Sequence, residues 1–266
     1  APSHLCNLKC DYCGERWDEA RQGGTVNDKG DWEDAIAVLN EYASKGYIDR
    51  NTRIDLLGGE PTVIKGFDRF VEHARVQFKN FMIYTNSVIL SGSILRLLDS
   101  DANVKIVTSV DAGTRETYEL LKGGDHLMSV LGTIKSYARL RPGAVQVKYI
   151  LLPQNSEKKE RDEFLRNMKE CGVRKITIDF DGRADGECSE GILRTAGHFR
   201  HDAEKLGFFV TVNYSILERI CSKRNIGNYR HIIDSAYKNG FPDYRGVPTR
   251  ATVPEFAYGK ILEVKK

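Results

Sequence analysis

Apolar and polar residues alternate along this chain in two kinds of stretch, short runs rich in β-branched residues and longer amphipathic ones. The short runs have the largely apolar character of strands buried in a parallel sheet. They are TRIDLLGGE (52–60), NFMIYTN (80–86), VKIVTSVD (104–111), VQVKYILL (145–152) and RKITIDFD (174–181). We predict a strand in each of them.

Amphipathic stretches separate these runs and predict helices. Residues 31–46 carry one apolar face, and Gly46 suits the left-handed residue that ends many helices. In residues 112–124, Thr114 is a predicted N-cap, and Gly123 or Gly124 is the predicted end of the helix. The other helical patterns cover residues 66–78, 91–100, 126–140 and 157–172.

Strand and helix patterns alternating in this way predict an α/β fold with a parallel sheet. Ala1 is not an initiating residue, so we expect the natural chain to begin earlier, with a strand that runs into Ala1. That strand would complete six βα units. Periodicity alone does not distinguish an open or partial barrel from a flat, doubly wound sheet. Beyond residue 186 the pattern predicts a helix over 190–206, a strand over 208–213 and further helices.

Composition narrows the class of protein. A chain of 266 residues with 41% hydrophobic and 29% charged residues is typical of a globular protein with one large core. Its net charge of +3 is too small to indicate nucleic-acid binding.

No apolar run approaches the roughly 20 residues that span a bilayer, and no secretory signal opens the chain. Cys171, Cys188 and Cys221 lie far apart, unlike a secreted disulfide framework, which predicts a cytoplasmic location.

Polar and glycine-rich residues follow several of the predicted strands directly. GGEP (58–61), TNS (85–87), SVDAG (109–113) and DFDGR (179–183) each end or follow one apolar run. Parallel α/β folds place their chemistry at the carboxyl ends of the strands. We therefore expect these segments to meet at one edge of the sheet.

Three cysteines crowd into HLCNLKCDYC near the start of the chain. Cys6, Cys10 and Cys13 have the spacing C-x3-C-x2-C, and thiolates so close together are typical ligands of zinc or of iron–sulfur clusters. One alternative is a zinc-binding structural or interaction module with His4 as fourth ligand. Structural zinc usually pairs two short cysteine knuckles, and no second C-x2-C occurs here. The other alternative is a cluster held by three cysteines, which leaves one iron open to a substrate or cofactor.

The cysteine motif with its aromatic Tyr12, combined with GGEP, the TN strand end and SVDAGTRETYELLKG, resembles the radical S-adenosylmethionine (radical SAM) superfamily. The resemblance covers residues 4–183. It implies an α/β fold, a partial (β/α)6 TIM-like barrel with a C-terminal α/β extension. We expect the radical SAM core over residues 1–186 and a substrate- or partner-facing extension over residues 187–266.

The resemblance also implies the cofactors. Cys6, Cys10 and Cys13 would hold a [4Fe–4S] cluster whose remaining iron is chelated by the amino and carboxylate groups of S-adenosylmethionine. One electron, from a donor such as flavodoxin or ferredoxin, would split the sulfonium to methionine and a 5′-deoxyadenosyl radical. That radical would abstract a hydrogen atom from a peptide, sugar or nucleotide-linked metabolite.

Around the expected methionine, the GGEP turn supplies three candidate residues. Gly58 and Gly59 lack side chains, so the backbone can approach the methionine closely. Glu60 offers a carboxylate to the methionine ammonium. The alternative is that GGEP is a plain strand-to-helix turn.

Five further residues are predicted to bind S-adenosylmethionine. The resemblance places Tyr12 beside the adenine, the hydroxyls of Thr85 and Ser109 on the ribose or carboxylate, and Asp111 on the ribose hydroxyls. Helix caps and loop hydrogen bonds are the alternative roles of these polar side chains. Lys148, mid-strand in an apolar run, points either into the barrel, toward the methionine carboxylate, or outward to a helix.

The C-terminal extension offers two weaker signals. Its cysteines form no second C-x2-C, which argues against an auxiliary cluster. From Leu217 to Arg250, seven Lys and Arg residues face three Asp and Glu residues. This basic segment is either a solvated helical surface or a site for an anionic substrate or an acidic electron donor.

Overall fold

A computed structural model describes residues 3–13, 30–183, 188–223 and 226–239 of the chain. The strands in these residues are β1 Arg53–Leu56, β2 Asn80–Tyr84, β3 Asn103–Ser109, β4 Val145–Leu151, β5 Lys175–Phe180 and β6 Phe209–Val212. The α-helices are α1 Trp32–Ser44, α2 Phe67–Gln77, α3 Gly92–Asp99, α4 Arg115–Lys122, α5 Leu127–Leu140, α6 Lys158–Glu170, α7 Glu190–Lys205, α8 Tyr214–Lys223 and α9 Tyr229–Asn239. Short 3-10 turns cover Pro61–Val63 and Pro153–Asn155.

All six strands pair in parallel in a single sheet, in the consecutive order β1 to β6. A doubly wound sheet would reverse its strand order at a switch point. Along β4, buried residues alternate with partly exposed ones such as Gln146 and Lys148. One face is therefore covered by helices while the other is open, as in an incomplete barrel. The predicted partial (β/α)6 barrel is confirmed.

The sixth strand of the described structure, Phe209–Val212, is the one predicted over 208–213 in the C-terminal extension. The strand expected to run into Ala1 would precede the given residues and stays a prediction. Strand β6 pairs with β5, with Lys175 opposite Phe209. The extension therefore contributes to the same sheet, and the division of the chain at residue 186 stays a prediction.

Local signals in the sequence explain where the helices begin and end. The Thr114 hydroxyl accepts a hydrogen bond from the backbone of Thr117 at 3.3 Å, which caps α4. Gly123 ends α4 with a φ of +74°, and Gly46 follows α1 with a φ of +70°. These predicted caps are confirmed.

Aromatic side chains join the barrel to the extension. Tyr149 of β4, Phe164 of α6 and Phe199 of α7 are fully buried, and their ring centroids lie 4.6 to 5.8 Å apart with edge-to-face geometry. Helix α7 therefore packs on the same core as the preceding helices. In the part of the chain that the structure describes, no helix has the length and apolar character to cross a membrane.

Candidate functional site

The cysteine loop, residues 3–13, lies between the end of β1 and the end of α4. On one side, the backbone N–H of Glu60 donates to the Leu5 carbonyl at 2.7 Å. On the other side, the N–H of Lys9 donates to the carbonyl of Lys122 at 3.1 Å. We call residues 3–8 the Cys6 half and residues 9–13 the Cys10 half.

The Cys6 half is held by a buried carboxylate and an amide. Glu60 is fully buried, and its carboxylate accepts from the Thr85 hydroxyl at 2.8 Å and from the backbone N–H of Asn86 at 2.6 Å. The Asn86 side chain in turn donates to Asn7 Oδ1 at 2.7 Å and approaches Cys6 Sγ at 3.8 Å. Glu60 and Thr85, both predicted site residues, thus join the ends of β1 and β2 beneath Cys6.

The glycines of GGEP are required by the cysteine loop itself. Gly58 has a φ of +131°, a conformation that favours glycine. A Cβ atom on Gly59 would lie 2.2 Å from the backbone carbonyl oxygens of His4 and Leu5. The close approach expected at Gly59 is present, but it is made by the Cys6 half. Contact between these glycines and methionine stays a prediction.

A buried ion pair underlies the Cys10 half. Lys122 Nζ lies 2.5 Å from Asp111 Oδ2 and 2.8 Å from the Ser109 carbonyl oxygen. The Tyr12 hydroxyl donates to the same Asp111 oxygen and accepts from Lys122. The other Asp111 oxygen accepts from the backbone of Ile150 at 2.6 Å. Tyr12, Ser109 and Asp111 are thus brought together, and the ribose contact predicted for Asp111 would have to compete with these bonds.

Burial dominates the acid–base behaviour of this half. It raises the pKa of the Cys10 thiol to about 11, with the Lys122 ammonium opposing the rise and the Asp111 carboxylate adding to it. Burial and the Asp111 carboxylate also raise the pKa of Tyr12 well above its usual value. Both groups are therefore protonated at neutral pH, and metal binding at Cys10 must release a proton.

Lys148 lies on the open face of the sheet, so the interior orientation is the one found. Its ammonium is 2.6 Å from Asp179 Oδ2, and Asp179 is only 2% exposed. Lys148 is also the β-sheet partner of Ser109 on β3. A methionine carboxylate at Lys148 stays a prediction, since it would share this lysine with Asp179.

Three contacts at the site were not predicted from the sequence, those of Lys122, Asn86 and Asp179. Lys122 ends a helix, where a lysine is usually solvated, so its burial had no local signal. Asn86 belongs to the TNS strand end, where only the Thr85 hydroxyl was a predicted ligand. Asp179 opens the DFDGR segment, and no local feature of that segment indicates an ion pair with Lys148.

The donor chemistry of the loop fits an iron–sulfur cluster with three cysteine ligands. Across residues 3–13, 30–183, 188–223 and 226–239, no three His, Cys, Asp or Glu side chains are arranged to hold a metal ion. A [4Fe–4S] cluster takes each cysteine thiolate on a different iron, so its three ligands need not share one metal position. Nothing in this geometry supports a zinc site completed by His4.

The basic segment is described only in part, because Arg224 and residues 240–266 lie outside the described residues. Within it, the Arg230 guanidinium lies over the rings of Tyr214, at 4.8 Å, and Tyr229, at 5.8 Å. Both contacts are cation–π interactions; the first joins α9 to α8, and the second lies within α9. They give Arg230 a packing role, and a site for an anionic substrate there stays a prediction.

An incomplete parallel barrel with a three-cysteine loop at its carboxyl edge is the architecture of an iron–sulfur enzyme. A family model described as "Radical SAM superfamily" matches residues 1–162, and the chain belongs to this superfamily. Members use a [4Fe–4S] cluster and S-adenosylmethionine. The chain is therefore an enzyme of this class, and the zinc alternative is set aside.

Two curated relatives share part of the sequence. The sporulation killing factor maturation protein SkfB of Bacillus subtilis (strain 168) is 31% identical over 121 residues, 46% of this chain and 27% of that protein. A probable GTP 3′,8-cyclase of Metallosphaera sedula is 25% identical over 162 residues, 60% of this chain and 48% of that protein. The chain thus matches less than half the length of each.

Solved structures share the fold. Streptococcus suis SuiB bound to S-adenosylmethionine superposes with a TM-score of 0.58 at 16% identity, over 79% of this chain and 45% of that one. The protein anSMEcpe with bound AdoMet gives a TM-score of 0.60 at 16% identity, over 80% of this chain and 62% of that one. At such identities the likeness concerns the fold alone.

Proposed function

We propose that this enzyme cleaves S-adenosylmethionine reductively and uses the resulting radical to abstract a hydrogen atom from a substrate. The observation that carries the proposal is a loop with three cysteines, not four, fixed on both sides at the carboxyl edge of an open barrel. When bound, the cluster supplies one electron to the sulfonium of S-adenosylmethionine at the iron that lacks a cysteine ligand. The electron donor would be a protein such as flavodoxin or ferredoxin.

Some residues of the chain would hold the cluster, and others would orient the cysteine loop. Cys6, Cys10 and Cys13 would hold three irons as thiolates. Glu60 would keep the turn after β1 against the loop, since its backbone N–H already binds Leu5 at 2.7 Å. These residues position the loop relative to the open face of the sheet.

The open face is polar enough to bind a substrate with hydrogen-bonding groups. Gln146 Nε2 donates to Thr177 Oγ1 at 2.6 Å, and the hydroxyls of Thr177 and Thr211 lie 2.8 Å apart. Lys148 and Asp179 form an ion pair on the same face. Because this ladder of polar groups crosses β4, β5 and β6 on the open face of the sheet, we place the substrate on that face.

For the substrate we favour a peptide. SkfB is named a maturation protein, and one structure with the same fold was solved as SuiB bound to a precursor peptide, SuiA, with a TM-score of 0.58. The name of the second curated relative points instead to a nucleotide. A cytoplasmic location, predicted from the wide spacing of Cys171, Cys188 and Cys221 in the sequence, belongs to the same proposal.

The function is tested by anaerobic reconstitution with iron and sulfide, followed by dithionite and S-adenosylmethionine. We expect 5′-deoxyadenosine and methionine in equal amounts, and none from a Cys10→Ala variant. An extract of the source organism should accelerate the reaction, and protease treatment of that extract should abolish the acceleration. Stimulation that survives protease would exclude a peptide. A reconstituted, iron-loaded protein that forms no 5′-deoxyadenosine would contradict the proposed function.

A further inference from the structure

The Cys10 half of the loop is docked on the end of α4 by its backbone. The N–H groups of Lys9 and Asp11 donate to the carbonyls of Lys122 and Leu121, each at 3.1 Å. The last carbonyls of a helix have no partners within the helix, so the loop satisfies two of them. A Cβ atom on Gly123 would lie 2.9 Å from the Lys9 carbonyl oxygen, which shows how closely the two segments pack.

Side chains reinforce this docking through the Lys122 triad, which consists of Tyr12, Asp111 and Lys122. Lys122 is 3% exposed and Asp111 is fully buried, and buried charges are stable only when paired. The Tyr12 hydroxyl bonds to both of them. Tyr12 is the triad member that belongs to the loop, and it stands between Cys10 and Cys13 in the sequence.

Asp111 is itself held in place from β4. It has a φ of +59°, a left-handed conformation that is uncommon outside glycine and clusters at functional sites. One carboxylate oxygen accepts from the Ile150 N–H at 2.6 Å, and the Asp111 carbonyl accepts from Asn155 Nδ2 at 2.8 Å. The remaining oxygen is thereby aimed at Tyr12 and Lys122.

We propose that the Lys122 triad positions the Cys10 half of the loop for cluster binding, with Lys122 and Asp111 acting through Tyr12 as positioning residues. This inference rests on the proposed function, because it assumes that the loop binds a cluster. The triad fixes two of the three thiols relative to the barrel.

The test compares cysteine alkylation rates in two cluster-free chains, the unmodified one and Tyr12→Phe. The substitution removes one hydroxyl and keeps the charges of Asp111 and Lys122. Trypsin cleaves after Lys9, so the peptide of residues 1–9 reports Cys6 and that of residues 10–16 reports Cys10 and Cys13. We expect about tenfold faster iodoacetamide alkylation in the second peptide, as for a lost hydrogen bond to charged groups. The rate in the first peptide should not change.

A matched control is Tyr237→Phe. The Tyr237 hydroxyl also bonds to a carboxylate, that of Glu204 at 2.7 Å, and a guanidinium, that of Arg200, lies 4.6 Å from its ring. This variant should change neither peptide. Equal acceleration of both peptides in Tyr12→Phe would indicate general loosening, and no acceleration would mean that the triad does not hold the loop. Either result overturns the proposal.

A second measurement addresses the cluster. After anaerobic reconstitution, iron should be released to a ferrous chelator about tenfold faster from Tyr12→Phe than from the unmodified chain and from Tyr237→Phe. Equal release rates would overturn the link to cluster binding. The alkylation result needs neither cluster nor S-adenosylmethionine, so it separates a failure of the triad from a failure of the proposed function.

Discussion

The two halves of the cysteine loop are held by different forces. The Cys10 half rests on a buried ion pair, a shared tyrosine hydroxyl and two backbone bonds to α4. The Cys6 half is exposed at Cys6 and rests on the backbone bond from Glu60 to Leu5, on close packing over Gly59 and on one amide side chain, Asn86. A buried ion pair thus secures the Cys10 half, whereas the Cys6 half depends on neutral hydrogen bonds and steric fit. Substitutions on the two sides should therefore fail in different ways.

Removing any one cysteine ligand should abolish cluster binding, because both halves of the loop supply ligands to the same cluster. We expect Cys6→Ala and Cys10→Ala each to lose all bound iron and sulfide after anaerobic reconstitution. His4→Ala should keep a near-normal iron content, measured per chain. Equal iron loss in His4→Ala would make this histidine a ligand and reverse the assignment of the site.

Breaking the ion pair should have the largest effect on folding. Lys122→Met leaves the Asp111 carboxylate buried without its cation, which should lower the free energy of unfolding by about 3 kcal/mol. Lys159→Met on the exposed surface of α6 is the control, expected to change stability by less than about 0.5 kcal/mol. Urea unfolding of the cluster-free chains measures both. A small effect at Lys122 would show that the pair adds little to the Cys10 half.

Adding a methyl group at Gly59 should disturb the Cys6 half sterically. Gly59→Ala forces the backbone of His4 and Leu5 aside, at a cost of about 1–3 kcal/mol in the same assay. Gly132→Ala is the matched control, because Gly132 lies in α5 with nothing within 4 Å of a Cβ atom. That change should stabilise the chain by about 1 kcal/mol. If Gly59→Ala is as harmless as Gly132→Ala, the loop does not pack on this turn.

Asn86→Ala has the smallest expected effect on stability, and it tests most directly whether the two halves of the loop are held independently. Asn86→Ala removes the amide that reaches Asn7 and Cys6, at a cost of about 1 kcal/mol or less. In the alkylation assay, the peptide of residues 1–9 should react roughly fivefold faster, while the peptide of residues 10–16 keeps its rate. This is the mirror image of Tyr12→Phe. Acceleration of both peptides by Asn86→Ala would mean that the halves are not independent.

Local features of the fold were readable from the sequence because their causes are local. The cap at Thr114 and the left-handed Gly123 depend on a few neighbouring residues, and both are as predicted. The Lys122 triad depends on residues 99 and 110 positions apart from Tyr12. Sequence periodicity carries no information about such contacts. Tyr12 and Asp111 were therefore predicted only as cofactor ligands, and Lys122 was not predicted as a site residue.

The contact at Gly59 was predictable from the sequence only in part. Two consecutive glycines after a strand indicated that something approaches the backbone closely, which the structure bears out. The approaching group is the chain's own loop, and glycine spacing alone carries no information about which group that is. Such a signal locates a close contact without identifying the partner.

The central claim, that the loop holds a cluster with one iron left open, is tested most directly by electron paramagnetic resonance. The chain is reconstituted anaerobically, reduced with dithionite and measured with and without S-adenosylmethionine. We predict the signal of a reduced [4Fe–4S] cluster whose shape changes when S-adenosylmethionine is added, because three cysteines leave one iron for it. A chain that takes up no iron, or a cluster signal that S-adenosylmethionine does not alter, would contradict the account.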